Sequence, residues 1–133
     1  MPRRSFQLAK EDESFLNSAH PAWEAIIEGQ SRWLLLENFE TPAGFNHGLV
    51  GVALMIDPGY PDTQIDMAYF FPPLQRRDGK SIPATESTET IDGRNFQRWS
   101  RHRTATNPWR PGIDDVSTHL AQVQHWLIRE LPQ

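Results

Sequence analysis

The sequence predicts an α+β domain: a four-stranded antiparallel meander with an N-terminal helix and a C-terminal helix packed on the sheet. Three observations predict it. Four largely apolar runs follow one another between residues 22 and 71 with only short turn segments between them. Strands that close in sequence pair antiparallel, because a parallel neighbour needs a long crossover. The last 20 or so residues instead carry apolar side chains at three- and four-residue steps, one face of a helix. Finally, 133 residues make one core and not two, so a single domain over 1–133 is expected.

The elements are justified in chain order. Residues 1–9 hold Arg3 and Arg4 but no apolar stretch, and are expected to form a flexible arm. Lys10 to Ala19 is polar apart from Phe15 and Leu16, a short amphipathic helix. Its end falls at His20-Pro21, since the residue before a proline is pushed out of helical geometry. Ala22 to Ile27 is the first strand and Glu28-Gly29-Gln30 its turn; Arg32 to Phe39 is the second, followed by the turn Thr41-Pro42-Ala43-Gly44. Leu49 to Ile56 is apolar everywhere except Gly51, which suits a strand buried on both faces. Thr63 to Phe71 alternates and is the expected fourth strand, closed by Pro72-Pro73. Gln75 to Asn95 shows no period and is rich in Ser, Thr and Glu between 81 and 90, a long excursion for a compact domain. Phe96 and Trp99 return to apolar character. Asp114 or Asp115 then caps the last helix, whose stripe is Val116, His119, Leu120, Val123, Trp126, Leu127 and Leu131, and Pro132 stops it.

Composition excludes several functions. There is no cysteine, hence no disulfide, no thiolate nucleophile and no zinc–thiolate site. A net charge of −4 argues against nucleic acid as a partner. No apolar stretch is long enough for a secretory signal or a membrane span, so no membrane partner and a cytoplasmic location are expected. No glycine-rich phosphate loop and no His-Glu-x-x-His is present, and no cofactor or metal is expected. His119 and His125 read as packing residues beside the helical stripe, and His20 and His47 as turn residues facing water.

One ordered set of motifs resembles a known family. Gly48-Leu49-Val50-Gly51-Val52-Ala53-Leu54-Met55-Ile56-Asp57-Pro58-Gly59-Tyr60-Pro61 looks like the third strand and Tyr-Pro turn of ubiquitin-conjugating enzymes. Met67 to Leu74 corresponds to the strand after it, with Pro72-Pro73 somewhat later than the family's usual proline pair. Trp109-Arg110-Pro111 resembles the family's Trp-x-Pro. More narrowly, Leu8 to Leu131 resembles the prokaryotic ubiquitin-conjugating-like group called family E, most specifically over Asp92 to Arg103. The resemblance implies a ubiquitin-conjugating-enzyme-like fold and a place in a bacterial ubiquitin-like modification pathway. The implied partners are a ubiquitin-like protein, an adenylating activating enzyme and a processing protease. The chain departs from the family pattern at the chemistry. The family's catalytic cysteine falls about eight positions before the tryptophan, on Arg101 here, and the upstream His-Pro-Asn is absent.

Around that position the residues offer an oxygen in place of sulfur. A serine hydroxyl is a weak nucleophile until an adjacent base takes its proton. Ser100 and His102 supply both types two residues apart, and on an extended segment residues i and i+2 point the same way. An imidazole suits the role of base near neutral pH. Asn95 is a candidate oxyanion donor. Arg98, Arg101 and Arg103 offer charge for an oxyanion or for the acidic surface of a partner, and Trp109 a surface for docking. Thr104, Thr106 and His102 itself are ranked below Ser100 as acyl acceptors. The expectation is an acyl carrier that holds the ubiquitin-like protein as an oxyester on Ser100. The alternative is a catalytically inactive module that only binds or scaffolds it, and a hydrolase using the same pair is a third reading.

Overall fold

A computed structural model describes residues 2–132. Met1, within the expected arm, and Gln133, within the expected domain, lie outside the described residues. The element order is α1 (Lys10–Ala19), β1 (Glu24–Glu28), β2 (Ser31–Glu40), β3 (Leu49–Met55), β4 (Ala68–Phe71), β5 (Thr88–Ile91), β6 (Arg94–Trp99) and α2 (Val116–Arg129). All six strands form one antiparallel sheet in the order β1-β2-β3-β4-β6-β5. The sheet therefore has six strands and not the four expected from the sequence.

The two additional strands are a hairpin. β5 and β6 join through Asp92-Gly93, both at positive φ (52° and 75°). Two successive left-handed residues match the twist of a two-residue hairpin loop, and Asp-Gly is a preferred pair for it. The excursion after Gln75 is thus partly strand. β4 is also shorter than expected. Pairing begins only at Ala68, because Met67 sits at φ 59° and breaks the extended run that Thr63 to Phe71 suggested.

The sheet curls until its two ends meet. The backbone N–H of Asp92, at the hairpin tip, donates to Glu28 Oε2 at the end of β1 (2.9 Å). Arg3 grips both sides, with Nη2 2.8 Å from Glu24 and 2.7 Å from Asp92. The described part of the expected flexible arm is tied down by main chain as well. Ser5 N–H donates to the Ala25 carbonyl (2.7 Å) and Ala25 N–H to the Arg3 carbonyl (2.9 Å).

Curling gives the sheet two packed faces. The larger core sets Leu34, Leu36, Val52, Leu54, Phe70 and Trp99 against both helices, through Leu16 of α1 and Val116, Leu120, Val123 and Leu127 of α2. Each such aliphatic side chain contributes about 1.5–3 kcal/mol of burial. The opposite face packs Ile26, Trp33, Leu35, Tyr69, Ile91 and Phe96 together as a second, smaller cluster. Both helices begin as electrostatics favours. Glu11, Asp12 and Glu13 occupy the first turn of α1. Asp115 caps α2, accepting from Thr118 N–H at 3.1 Å, while Asp115 N–H donates to Thr118 Oγ1 at 2.9 Å. No helix among the described residues is long and apolar enough to cross a membrane.

Candidate functional site

The site grows from the end of β6. That strand lies between β4 and β5, and its last residue, Trp99, is fully buried with Phe45 and Phe70 edge-on to its ring. Ser100 is the next residue and is half-buried. Its N–H donates to the Ala84 carbonyl at 3.0 Å, prolonging the strand by one rung. Beyond it the chain leaves the sheet, so His102 is exposed.

The two residues come together as their spacing suggests. Ser100 Oγ is 3.3 Å from His102 Nε2. The other ring nitrogen, Nδ1, lies 3.0 and 3.2 Å from the two oxygens of Asp66. An ionised carboxylate only accepts, so Nδ1 carries the proton and donates to Asp66. In the neutral ring Nε2 then presents its lone pair, and the Ser100 hydroxyl donates to it. The order is hydroxyl, imidazole, carboxylate, the arrangement that makes a serine oxygen nucleophilic. The imidazole side chain is 59% exposed and the Asp66 side chain 37%, so the site is open to large substrates.

Asp66 had no signal in the sequence, since 36 residues separate it from His102. The fold supplies the link. Continuing the β4–β6 register past Ala68↔Trp99 would set Asp66 across from Arg101. The positive φ at Met67 breaks that alternation and turns the carboxylate to the imidazole.

The other residues singled out in the sequence sit as follows. Asn95 is near the start of β6, about 16 Å of extended chain from Ser100. Its Oδ1 accepts from Thr90 Oγ1 across the hairpin at 2.9 Å, and the structure does not bring it to the serine. Arg98 lies in β6 opposite Tyr69, with its Nε buried and without a hydrogen-bond partner among the described residues. Arg101 packs over the Trp99 ring (4.9 Å) and reaches Glu130, the C-cap of α2, at 3.0 Å and the Pro83 carbonyl at 3.0 Å. A cleft of about 210 Å³ opens here, lined by Arg101, His102, Trp126, Arg129 and Glu130. Arg103 is folded inward, 7% exposed, above Trp109 and 3.7 Å from Asp114. Trp109 donates from Nε1 to the Pro61 carbonyl at 2.9 Å and so braces the Tyr60-Pro61 turn.

Behind this segment the buried carboxylates have donors, although Arg103 Nε and Nη2 are buried without a hydrogen-bond partner among the described residues. Hydrogen bonds from Arg110 hold the Asp114 carboxyl down to about 2 despite its burial. Burial raises the Asp12 carboxyl, opposed by hydrogen bonds from Tyr60 and the Val116 N–H. His119 is fully buried in α2, and desolvation pushes its pKa down to about 4. His20 is less exposed to water than its turn position suggested, stacking on Phe39 with 6.2 Å between ring centres. Among the described residues no group of three or more His, Asp or Glu side chains is placed to hold a metal ion.

Residues 8–130 match the family model described as prokaryotic E2 family E. No curated protein and no solved structure matches the chain.

Proposed function

Because the chain belongs to the prokaryotic E2 family E, we propose that it accepts a ubiquitin-like protein from an adenylating activating enzyme and carries it as an oxyester on Ser100. In this reading the domain has the ubiquitin-conjugating-enzyme-like fold that the family implies. It works in the bacterial cytoplasm beside a ubiquitin-like protein, its activating enzyme and a processing protease.

The observation that carries the reading is the 3.3 Å approach of Ser100 Oγ to His102 Nε2. Ser100 lies next to Arg101, the position where the family pattern sets its cysteine. His102 takes the hydroxyl proton as Oγ bonds to the activated terminal carbonyl of the ubiquitin-like protein. The bond from that carbon to its leaving group on the activated donor breaks, the departing group carries off the proton held by the imidazolium, and an oxyester remains. In the second half an amine nitrogen bonds to the ester carbon while neutral His102 takes a proton from that nitrogen, giving the amide. The C–Oγ bond breaks, and the imidazolium so formed returns its proton to Ser100. An ester is a poorer acyl donor to amines than a thioester, so the step depends on that proton return.

The test is incubation with the activating enzyme, ATP and the ubiquitin-like protein. An adduct that survives thiol reductant, is cleaved by hydroxylamine and is lost in Ser100→Ala is expected. No adduct under any condition removes the reading.

A second reading, a docking module without acyl transfer, is favoured by one observation. The Asn95 amide is engaged with Thr90, so the candidate oxyanion donor is not beside Ser100. Conjugation that persists unchanged in Ser100→Ala and His102→Ala would select this reading.

A further inference from the structure

We infer that Asp66 is a positioning residue for the serine chemistry, fixing the tautomer and orientation of His102 so that Nε2 faces Ser100. This deepens the oxyester reading and rests on it for the identity of the acyl group.

Three features of the structure support the assignment. The first is geometry: Nδ1 sits between both carboxylate oxygens at 3.0 and 3.2 Å, a contact that holds the ring plane as well as its distance. The second is the mount. Asp66 is flanked by Ile65, fully buried in the core, and by Met67, whose carbonyl accepts from buried His119 Nε2 at 2.9 Å. The carboxylate is only half-buried, but the backbone that presents it is pinned on both sides. The third is availability. Three arginines lie within the neighbouring segment 98–103, yet Arg101 pairs with Glu130, Arg103 with Asp114, and Arg98, opposite Tyr69 in β6, makes no ion pair with Asp66 among the described residues. Among the described residues Asp66 keeps His102 as its one hydrogen-bond partner.

Stability does not explain the contact. A hydrogen bond between two side chains this exposed contributes little to folding. Its effect falls on the imidazole. Without the carboxylate the ring is free to rotate and to carry its proton on Nε2, where it faces the serine as a donor and cannot accept the hydroxyl proton. Asp66→Asn keeps the shape and removes the charge, while Asp66→Glu restores it at a different reach.

Two measurements together test the assignment without needing the ubiquitin-like partner. One is the ¹⁵N NMR signature of the His102 ring, which distinguishes the two neutral tautomers. The other is the rate at which a fluorophosphonate probe labels Ser100. In that reaction Oγ bonds to phosphorus, fluoride leaves and His102 takes the proton. The wild type is expected to show the Nδ1–H tautomer and to label at Ser100. Asp66→Asn is expected to shift the ring toward Nε2–H and to slow labelling about 100-fold, at the low end for general-base catalysis because the pair is half exposed. Asp66→Glu is expected to recover part of the rate. A wild-type ring that is Nε2–H, a wild type that does not label, or an Asp66→Asn variant labelling at the wild-type rate would each overturn the assignment. If tautomer and labelling behave as expected but no ubiquitin-like adduct forms, the conjugation reading fails while the role of Asp66 stands.

Discussion

His119 Nε2 donates to the Met67 carbonyl at 2.9 Å and so joins the first turn of α2 to the bend that presents Asp66. The donated proton fixes the tautomer, and Nδ1 is left as a buried acceptor with no hydrogen-bond partner among the described residues. Protonating Nδ1 would place a charge in the core beside the Trp126 ring, with Arg103 against it and Asp66 and Asp114 in its favour.

A pH dependence follows with a definite sign. The folded pKa of His119, about 4, lies below the ordinary value of 6.5. The unfolded chain therefore takes up the proton first as pH falls. The stabilisation is complete above pH 6.5 and is lost toward pH 4, at up to about 1.4 kcal/mol per pH unit. Urea titrations at pH 7.5 and 5.0 are expected to differ by about 2 kcal/mol from this group. His119→Gln, which keeps an N–H for Met67 but cannot titrate, is expected to show a flatter profile.

Asp12 works in the opposite direction. Its carboxyl is raised by burial, so ionising it costs stability as pH climbs from the ordinary carboxylate range through the folded value. Two donors offset that cost, Tyr60 Oη at 2.7 Å and the Val116 N–H at 3.2 Å. Tyr60→Phe removes one of them from a buried group and is expected to cost about 1–3 kcal/mol at pH 7. The loss should shrink in acid, where the carboxyl is protonated, as denaturation of both proteins at pH 4 and pH 7 would show.

The hairpin turn isolates a backbone effect. Gly93 has a φ of 75°, and an added Cβ would meet nothing within 4 Å. Gly93→Ala therefore pays only for the left-handed conformation, about 1–2 kcal/mol. Faster amide hydrogen exchange confined to β5 and the tip of β6 is the expected readout.

Trp99 holds the root of the site. It is fully buried between Phe45 and Phe70, and its Nε1 donates to Gln97 Oε1 at 2.9 Å. Trp99→Ala is expected to destabilise by about 3–5 kcal/mol, measured by urea titration. Trp99→Phe, which keeps most of the volume, should cost less and preserve labelling of Ser100.

What was legible in the sequence follows from how local each signal is. α2 was readable because its stripe, its aspartate cap and Pro132 all lie within one short segment. Ser100 and His102 were readable because two residues of extended chain bring them to one side. The β5–β6 hairpin was hidden because Thr88, Glu89 and Thr90 are all exposed and only Ile91 is buried, leaving no alternation to detect. The signal that was present was Asp92-Gly93, a hairpin turn read only as part of a family motif. The early end of β4 depends on the positive φ of Met67, which that residue type does not announce. Asp66 reaches His102 only through β4, β6 and that bend, so no spacing rule could pair them.

The placement of β6 inside the sheet has a consequence for how this protein's chemistry could change over time. Ser100 follows directly on a strand held by hydrogen bonds on both flanks, and its own N–H is tied to the Ala84 carbonyl. Its backbone is thus fixed independently of what its side chain carries. Under the oxyester reading, replacing the oxygen at position 100 by sulfur leaves that mounting intact, so the reacting atom and its support can be altered separately.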